Sequence, residues 1–153
     1  MTEYSFITKT DCNTFIAVWL ECDIEKCDAA IAEGRVCTPE EIGITNKDEI
    51  EKFIIEEIGV TPRWDYHLLL IGFNFDYDVD VNKMLRITLK DLFGKEDKLK
   101  LLQEKFSVPI TLEIVPYIEY QSNEPKQILS LERDIIEFLH KSDVKMSLFY
   151  QLI

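Results

Sequence analysis

The chain has 153 residues, of which 46% are hydrophobic and 30% are charged, and its formal net charge is -12. This composition excludes collagen-like and wholly disordered chains, and the length suits a single domain over residues 1–153 with its own core. The excess of acids disfavours binding to nucleic acid or to anionic membranes, and the apolar runs are too short to cross a bilayer.

The start of the chain predicts a β-hairpin followed by a short helix. Tyr4–Thr8 and Phe15–Cys22 are rich in β-forming residues, and Asp11-Cys12-Asn13 between them suits a turn. Asp23 is placed to cap a helix that stops at Gly34. The residues expected on one side of this helix are Cys27, Ala30 and Ile31. The N-terminus lacks the features of a secretory signal, so we expect a cytoplasmic protein.

A clearer helix follows a connector at residues 35–45, which holds one helical turn near Thr38. Asn46 and Glu49 imitate a capping box, and Gly59 suits the left-handed residue that ends a helix. The apolar positions recur with helical spacing at Ile50, Phe53, Ile54 and Ile58. Tyr66–Tyr77 is then a nearly continuous apolar run, which is typical of a central strand covered on both faces.

The second half predicts two helices, a strand, a third helix and a closing strand. The first helix ends at Gly94 and has one apolar face, formed by Val81, Met84, Leu85, Thr88, Leu89 and Leu92. The next carries Leu99, Leu102 and Phe106. Apolar and polar residues alternate over residues 110–114, which predicts a strand, and Pro116 predicts that this strand lies at a sheet edge or ends with a bulge. Ser130 is placed to cap the last helix, and residues 144–152 alternate as a closing strand.

This order of elements is typical of the α+β class. We expect a mixed or mainly antiparallel sheet of about five strands, with helices packed mainly on one face. The chain shows no internal repeat of solenoid period and no linker-like stretch, so one domain accounts for it.

From Phe73 onward the chain has an arrangement of apolar segments that resembles a known family. The segments are Leu89-Lys90-Asp91-Leu92-Phe93-Gly94, the helix 99–106, the strand 110–115, the segments 129–132 and 135–140, and the ending Leu148-Phe149-Tyr150. This pattern resembles the domain of unknown function 4279 family, and Gly59-Val60-Thr61-Pro62-Arg63-Trp64 echoes an earlier family segment without its Lys-Gly pair. The resemblance implies a small bacterial, phage or mobile-element protein with an α+β fold. It implies no substrate, cofactor or catalytic residue.

The first 37 residues contain all four cysteines, namely Cys12, Cys22, Cys27 and Cys37. They lack the short Cys-x-x-Cys spacing of common zinc sites, and the two histidines, His67 and His140, lie far downstream. The expected reducing compartment argues against a disulfide framework. We interpret the cysteines as structural thiols, with metal binding or redox chemistry as alternatives, and His67 as a core histidine.

Three aspartates, Asp76, Asp78 and Asp80, alternate along an extended segment, where their carboxylates could converge on a cation. The EF-hand pattern fails, because Val81 stands where the loop needs Gly and Ile87 where it needs Glu. The simpler interpretation is a turn in which Asp78 or Asp80 caps the next helix. The sequence therefore predicts no metal ligand, no cofactor and no catalytic residue, and it has no Gly-rich phosphate loop.

The acidic residues are concentrated in the first half, since residues 1–76 hold 16 acidic and only 6 basic residues. The helix after Asn46 contributes Glu49, Glu56 and Glu57 to this excess. A surface of one sign steers the approach of an oppositely charged partner. Arg63 and Trp64 belong to a polar-aromatic cluster of the kind enriched at binding hot spots. These five residues are the predicted partner-binding set.

We therefore expect a non-catalytic binding protein that engages a basic protein partner. An immunity protein that guards against a toxin is one form, and a phage or mobile-element inhibitor of a host defence is another. The alternative is a metal- or small-molecule-binding enzyme that uses Asp76, Asp78 and Asp80 or the N-terminal cysteines. A third hypothesis is a homo-oligomer that pairs through the strand at residues 110–114 or the C-terminal strand.

Overall fold

The computed structural model describes residues 11–35, 38–65, 67–74, 80–118, 130–148 and 151–152. The helices are α1 (Ile24–Ala32), α2 (Lys47–Phe53), α3 (Val81–Leu89), α4 (Glu96–Phe106) and α5 (Arg133–Ser142). The strands are β1 (Asp11–Trp19), β2 (Arg63–Asp65), β3 (Leu68–Phe73), β4 (Ile110–Ile118), β5 (Lys145–Leu148) and β6 (Gln151–Leu152). A 3-10 turn at Glu40–Ile42 precedes α2, and a π-helical turn at Ile54–Ile58 extends it.

The strands form one mixed sheet that is mostly antiparallel. Its order is β2-β3-β1-β4-β5, and β6 lies beside the last residues of β4. β1 is in the middle of the sheet, antiparallel to both β3 and β4. β4 runs parallel to β5 and β6. The predicted α+β class and the mixed, mainly antiparallel sheet of about five strands are confirmed.

Successive side chains of β1 point to opposite faces of the sheet. Ile16 and Val18 are fully buried and pair with Leu112 and Ile110 of β4. These residues join a single core to which each of the five described helices contributes buried side chains. On the opposite face, Asn13, Phe15 and Trp19 are only half-buried. The described helices therefore cover one face of the sheet, as predicted.

α3 packs unusually close to the sheet at Gly72. A Cβ atom at this position would lie 2.3 Å from the carbonyl oxygen of Thr88 and 2.8 Å from Cγ2 of Ile16. The buried hydroxyls of Thr14 and Thr88 are 2.6 Å apart, and Thr88 Oγ1 donates to the Thr14 carbonyl at 3.2 Å. Thr14 Oγ1 also lies 3.2 Å from the carbonyl oxygen of Met84. The absence of a side chain at Gly72 allows this approach.

Two expectations for the strands are wrong. Asp11-Cys12-Asn13 is not a turn, because these residues begin β1 and pair with Tyr117, Pro116 and Val115 of β4. The first strand of the expected hairpin, Tyr4–Thr8, lies outside the described residues. Pro116 is not on an edge strand, since β4 has neighbours on both sides. Of the two alternatives for Pro116, an edge or a bulge, the sheet edge is therefore wrong.

The expected long strand at Tyr66–Tyr77 is also different. The described part is β3, which ends at Phe73, and it lies between β2 and β1. Leu69 and Ile71 are buried, whereas Leu68 and Leu70 are half-buried, so helices cover only one face of the strand. Its continuous apolar sequence therefore does not indicate burial on both faces. Tyr66 and residues 75–79 lie outside the described residues.

Two helix starts differ from the expectation, and two others agree. Asn46 precedes α2 but makes no capping hydrogen bond with its side chain. α5 begins at Arg133 rather than just after Ser130, because the Asn82 side chain holds the preceding segment. Its amide donates to the Ser130 carbonyl at 2.8 Å, and its oxygen accepts from the Glu132 N–H at 3.0 Å. The structure confirms the predicted caps of α1 and α3, which are Asp23 and Asp80.

An ion pair between α3 and α5 predicts a loss of stability in acid. Arg86 donates to both carboxylate oxygens of Asp134, at 2.7 and 2.9 Å, and this lowers the pKa of Asp134. Because the pKa of Asp134 is lower in the folded state, the ion pair stabilises the fold at a pH above the unfolded-state pKa of about 3.9. This stabilisation is lost as the pH falls through the folded-state pKa.

We therefore expect Arg86→Gln to lower the urea midpoint at neutral pH, and the difference from wild type to shrink as the pH falls below about 4. Because the pair is exposed, the effect is small and should weaken with added salt. Arg133→Gln removes the same charge from a side chain that is 93% exposed and serves as the control. A difference between wild type and Arg86→Gln that is the same at neutral and acidic pH would contradict this linkage.

Candidate functional site

Three of the predicted partner-binding residues come together in one groove, which we call the acidic groove. Glu49, Glu56 and Glu57 line it from α2 and its π-helical extension. The other residues that line it are Lys52, Phe53, Lys105 and Phe106. Its volume is about 370 Å³, and it lies between α2 and α4.

Helical periodicity explains why the three acids are exposed. Ile50 and Ile54 turn toward the core and are completely buried, so the glutamates between and beyond them face solvent. Two aromatic side chains also line the groove, Phe53 from α2 and Phe106 from α4. The Phe53 and Phe106 rings meet edge to face, with their centroids 5.9 Å apart and an interplanar angle of 83°. The groove therefore combines carboxylates with aromatic surface.

The charges in the acidic groove are only partly paired. Lys98 Nζ lies 3.0 Å from a carboxylate oxygen of Glu57. Lys105 Nζ lies 5.6 Å from the ring centroid of Phe53 and 5.4 Å from that of Phe106, within the range of cation–π attraction. No ion pair joins Glu49 or Glu56 to another residue in the described part of the chain. Two carboxylates are thus available to a cation, beside rings that already attract one.

The remaining predicted residues, Arg63 and Trp64, do not line the acidic groove. They are neighbours on β2, so their side chains project from opposite faces of the sheet. Trp64 packs against the core, and Lys47 Nζ lies 5.4 Å from its ring centroid. Arg63 lies on the other face, 5.7 Å from the ring centroid of Phe73, in a cavity of about 270 Å³. The polar-aromatic cluster is therefore divided between two surfaces.

A second constellation, the cysteine–histidine cluster, is formed by Cys22, Cys27 and His67. Their ligand atoms all lie within 4.8 Å of one another, and Cys27 Sγ is 3.6 Å from His67 Nδ1. Cys22 follows the end of β1, Cys27 lies in α1, and His67 lies in the turn between β2 and β3. Both cysteines are thiols.

Neighbouring residues hold His67 in place. The Leu20 N–H donates to the His67 carbonyl at 2.9 Å, which ties the β2–β3 turn to the end of β1. The Trp19 ring lies against the imidazole, with the centroids 5.3 Å apart. Trp19 Nε1 in turn donates to Thr111 Oγ1, which donates to a carboxylate oxygen of Glu113 at 2.9 Å. The imidazole is therefore supported on one side by an ordered ring.

Sequence spacing alone did not reveal this cluster, because His67 is 40 residues beyond Cys27. The signal that identifies it is the antiparallel pairing of β1 with β3, in which Trp19 faces Leu68. That register places His67 beside the segment that carries Cys22. Cys12 is buried on β1 opposite Pro116, and Cys37 lies outside the described residues.

The aspartate segment gives no comparable constellation among the residues that the structure describes. Asp80 caps α3, and its carboxylate accepts from the Lys83 N–H at 3.2 Å, which confirms the simpler interpretation of this residue. Asp76 and Asp78 lie outside the described residues. His140 lies in the last turn of α5, where a cationic side chain suits the negative end of the helix dipole.

No protein-family model matches this chain, and no curated protein and no solved structure shows significant similarity to it. The resemblance to the domain of unknown function 4279 family therefore stays a prediction. Among the described residues, no helix has the length and apolar character needed to span a membrane. The function is accordingly inferred from the geometry of the acidic groove and of the cysteine–histidine cluster.

Proposed function

We propose that this protein is a cytoplasmic, non-catalytic binding protein that holds a basic segment of a protein partner in the acidic groove. The observation that supports this most directly is the convergence of Glu49, Glu56 and Glu57 around the Phe53–Phe106 ring pair. The carboxylates would pair with the charge of a lysine or arginine from the partner, and the aromatic rings would contact the stem of that side chain.

The charge of the whole chain supports the same proposal. With a net charge of -12, the protein attracts a basic partner over a distance and accelerates their encounter. Proteins that act on nucleic acids carry a basic footprint, which an acidic protein complements. An immunity protein against such a toxin, or a phage or mobile-element inhibitor of such a defence protein, would work in this way without catalysis.

The groove also contains its own competitor for the partner's cation. Lys105 occupies the space over both aromatic rings, and Lys98 engages Glu57. A partner's arginine must therefore displace or share these contacts, while Glu49 and Glu56 remain available. For this reason we expect Glu49 and Glu56 to contribute more to binding than Glu57.

The proposal is tested with an arginine-rich peptide that carries a fluorescent label, whose affinity is measured by anisotropy at increasing salt. We expect the double variant Glu49→Gln/Glu56→Gln to weaken binding about two- to thirtyfold, since each exposed charge pair contributes roughly 0.2–1 kcal/mol. The control is Glu25→Gln/Asp28→Asn, which makes the same change in net charge on the exposed face of α1. Equal losses of affinity in the two double variants would reject the groove as the site.

The same two variants serve as baits for the natural partner. Immobilised wild-type protein is expected to capture a basic protein from a lysate of the native host. The control bait should retain that protein, whereas the groove variant should lose it. A partner that the groove variant retains as well as wild type would contradict the proposed binding surface.

A further inference from the structure

We propose that Cys22, Cys27 and His67 form a binding site for one zinc ion. This goes beyond partner binding, because none of the three residues lines the acidic groove. The three side chains come from the segment after β1, from α1 and from the β2–β3 turn. Two thiolates and an imidazole are a ligand set that zinc favours.

The spacing between Cys27 and His67 already fits zinc. Zinc binds cysteine sulfur at about 2.3 Å and histidine nitrogen at about 2.05 Å, so tetrahedral geometry separates the two ligand atoms by about 3.6 Å. The distance from Cys27 Sγ to His67 Nδ1 is 3.6 Å. The imidazole nitrogen that faces the thiol is thus at the distance that a shared metal would impose.

Cys22 needs only a small movement to complete the set. Two sulfurs on one tetrahedral zinc are about 3.8 Å apart, and no pair of ligand atoms in the cluster is separated by more than 4.8 Å. A shift of about 1 Å, within reach of a half-buried side chain, therefore closes the site. Cys22 is also the one member of the cluster that lines a cavity of about 430 Å³ among the described residues.

Neighbouring residues restrict the position of the histidine. The Trp19 ring packs on the imidazole, and the backbone bond from Leu20 fixes the turn that carries it. Binding of zinc releases one proton from each thiol, because the thiolate is the ligand. The bound ion would connect α1 to the β2–β3 turn and so stabilise the native state.

The first experiment titrates cobalt(II), a spectroscopic substitute for zinc, into the full chain under reducing conditions. We expect one equivalent to produce thiolate-to-cobalt charge transfer and the visible bands of a tetrahedral complex, and zinc to remove both. Cys22→Ser, Cys27→Ser and His67→Gln should each weaken binding by more than about tenfold. Cys12→Ser should leave binding unchanged, because Cys12 lies near the other end of β1.

A second experiment uses the two tryptophans as internal probes. Cobalt at the cluster should quench the emission of Trp19, which packs against His67, so Trp64→Phe should keep the response and Trp19→Phe should lose it. Circular dichroism confirms that each variant is folded, and Cys22→Ser, at a half-buried position, is the least disruptive of the ligand changes. The site is overturned if reduced wild type takes up no cobalt. It is equally overturned if folded Cys22→Ser binds as tightly as wild type, or if Cys12→Ser loses the bands.

Discussion

Gly72→Ala is expected to lower the free energy of unfolding by about 3 kcal/mol, at the upper end of the usual cost of overpacking. The added Cβ would lie 2.3 Å from the Thr88 carbonyl oxygen, which is part of the α3 backbone and cannot rotate away. The added Cβ would also lie 2.8 Å from Cγ2 of Ile16. α3 must therefore move off the sheet, which also disturbs the hydrogen bond between Thr88 and Thr14.

Urea unfolding followed by circular dichroism measures this effect. Gly94→Ala is the matched control, since a Cβ at Gly94 meets no atom within 4 Å and only the left-handed backbone is strained. We expect Gly94→Ala to lower the free energy of unfolding by about 1–2 kcal/mol. The close packing of α3 on the sheet would be contradicted if Gly72→Ala were no less stable than Gly94→Ala.

The second large effect is expected at Phe138 on α5. Its side chain is 1% exposed, and its ring meets the Phe93 ring at an angle of 68°, with the centroids 5.4 Å apart. Phe138→Ala removes the ring and leaves a cavity between α5 and the segment before α4, so we expect a loss of about 3–5 kcal/mol.

Ile136→Ala provides the comparison on the same helix. The Ile136 side chain is 52% exposed, so its truncation should change the free energy of unfolding by no more than about 0.5–1 kcal/mol. Both values come from the same urea titrations. A cost at Ile136 equal to that at Phe138 would mean that the outer face of α5 is covered, which contradicts the described packing.

The helices were the most predictable part of this fold, because their signals are local. The six residues assigned to the apolar face of the third predicted helix are all buried in or just after α3. Asp23 caps α1 as its sequence predicts, and Gly59 adopts the left-handed conformation at the end of the π-helical turn. Spacing and capping are decided within a few residues, so they can be read without knowledge of the fold.

The strands were less predictable, because their environment depends on distant partners. Asp11-Cys12-Asn13 has the composition of a turn, yet pairing with β4 about 100 residues later makes it part of β1. Pro116 was expected at an edge or a bulge, yet β4 lies inside the sheet with neighbours on both sides. Only the tertiary fold shows which strands lie inside the sheet.

The same distinction applies to the two candidate sites. Helical spacing predicts that Glu49, Glu56 and Glu57 are exposed, but not that Phe106 and Lys105 of α4 complete the groove. The cysteine–histidine cluster depends on the register of β1 against β3 and on the packing of α1, neither of which the sequence specifies. Residues from one helix can thus be proposed from sequence, whereas a site assembled from three elements needs the structure.

The most direct test of partner binding through the acidic groove is an NMR titration of isotope-labelled protein with the arginine-rich peptide. We expect the largest shifts in the ring signals of Phe53 and Phe106 and in the side chains of Glu49 and Glu56. Rising salt should reverse these shifts, because the encounter is electrostatic. Shifts confined to the face around Arg63 and Phe73, opposite the described helices, with the Phe53 and Phe106 rings unchanged, would contradict the proposed function.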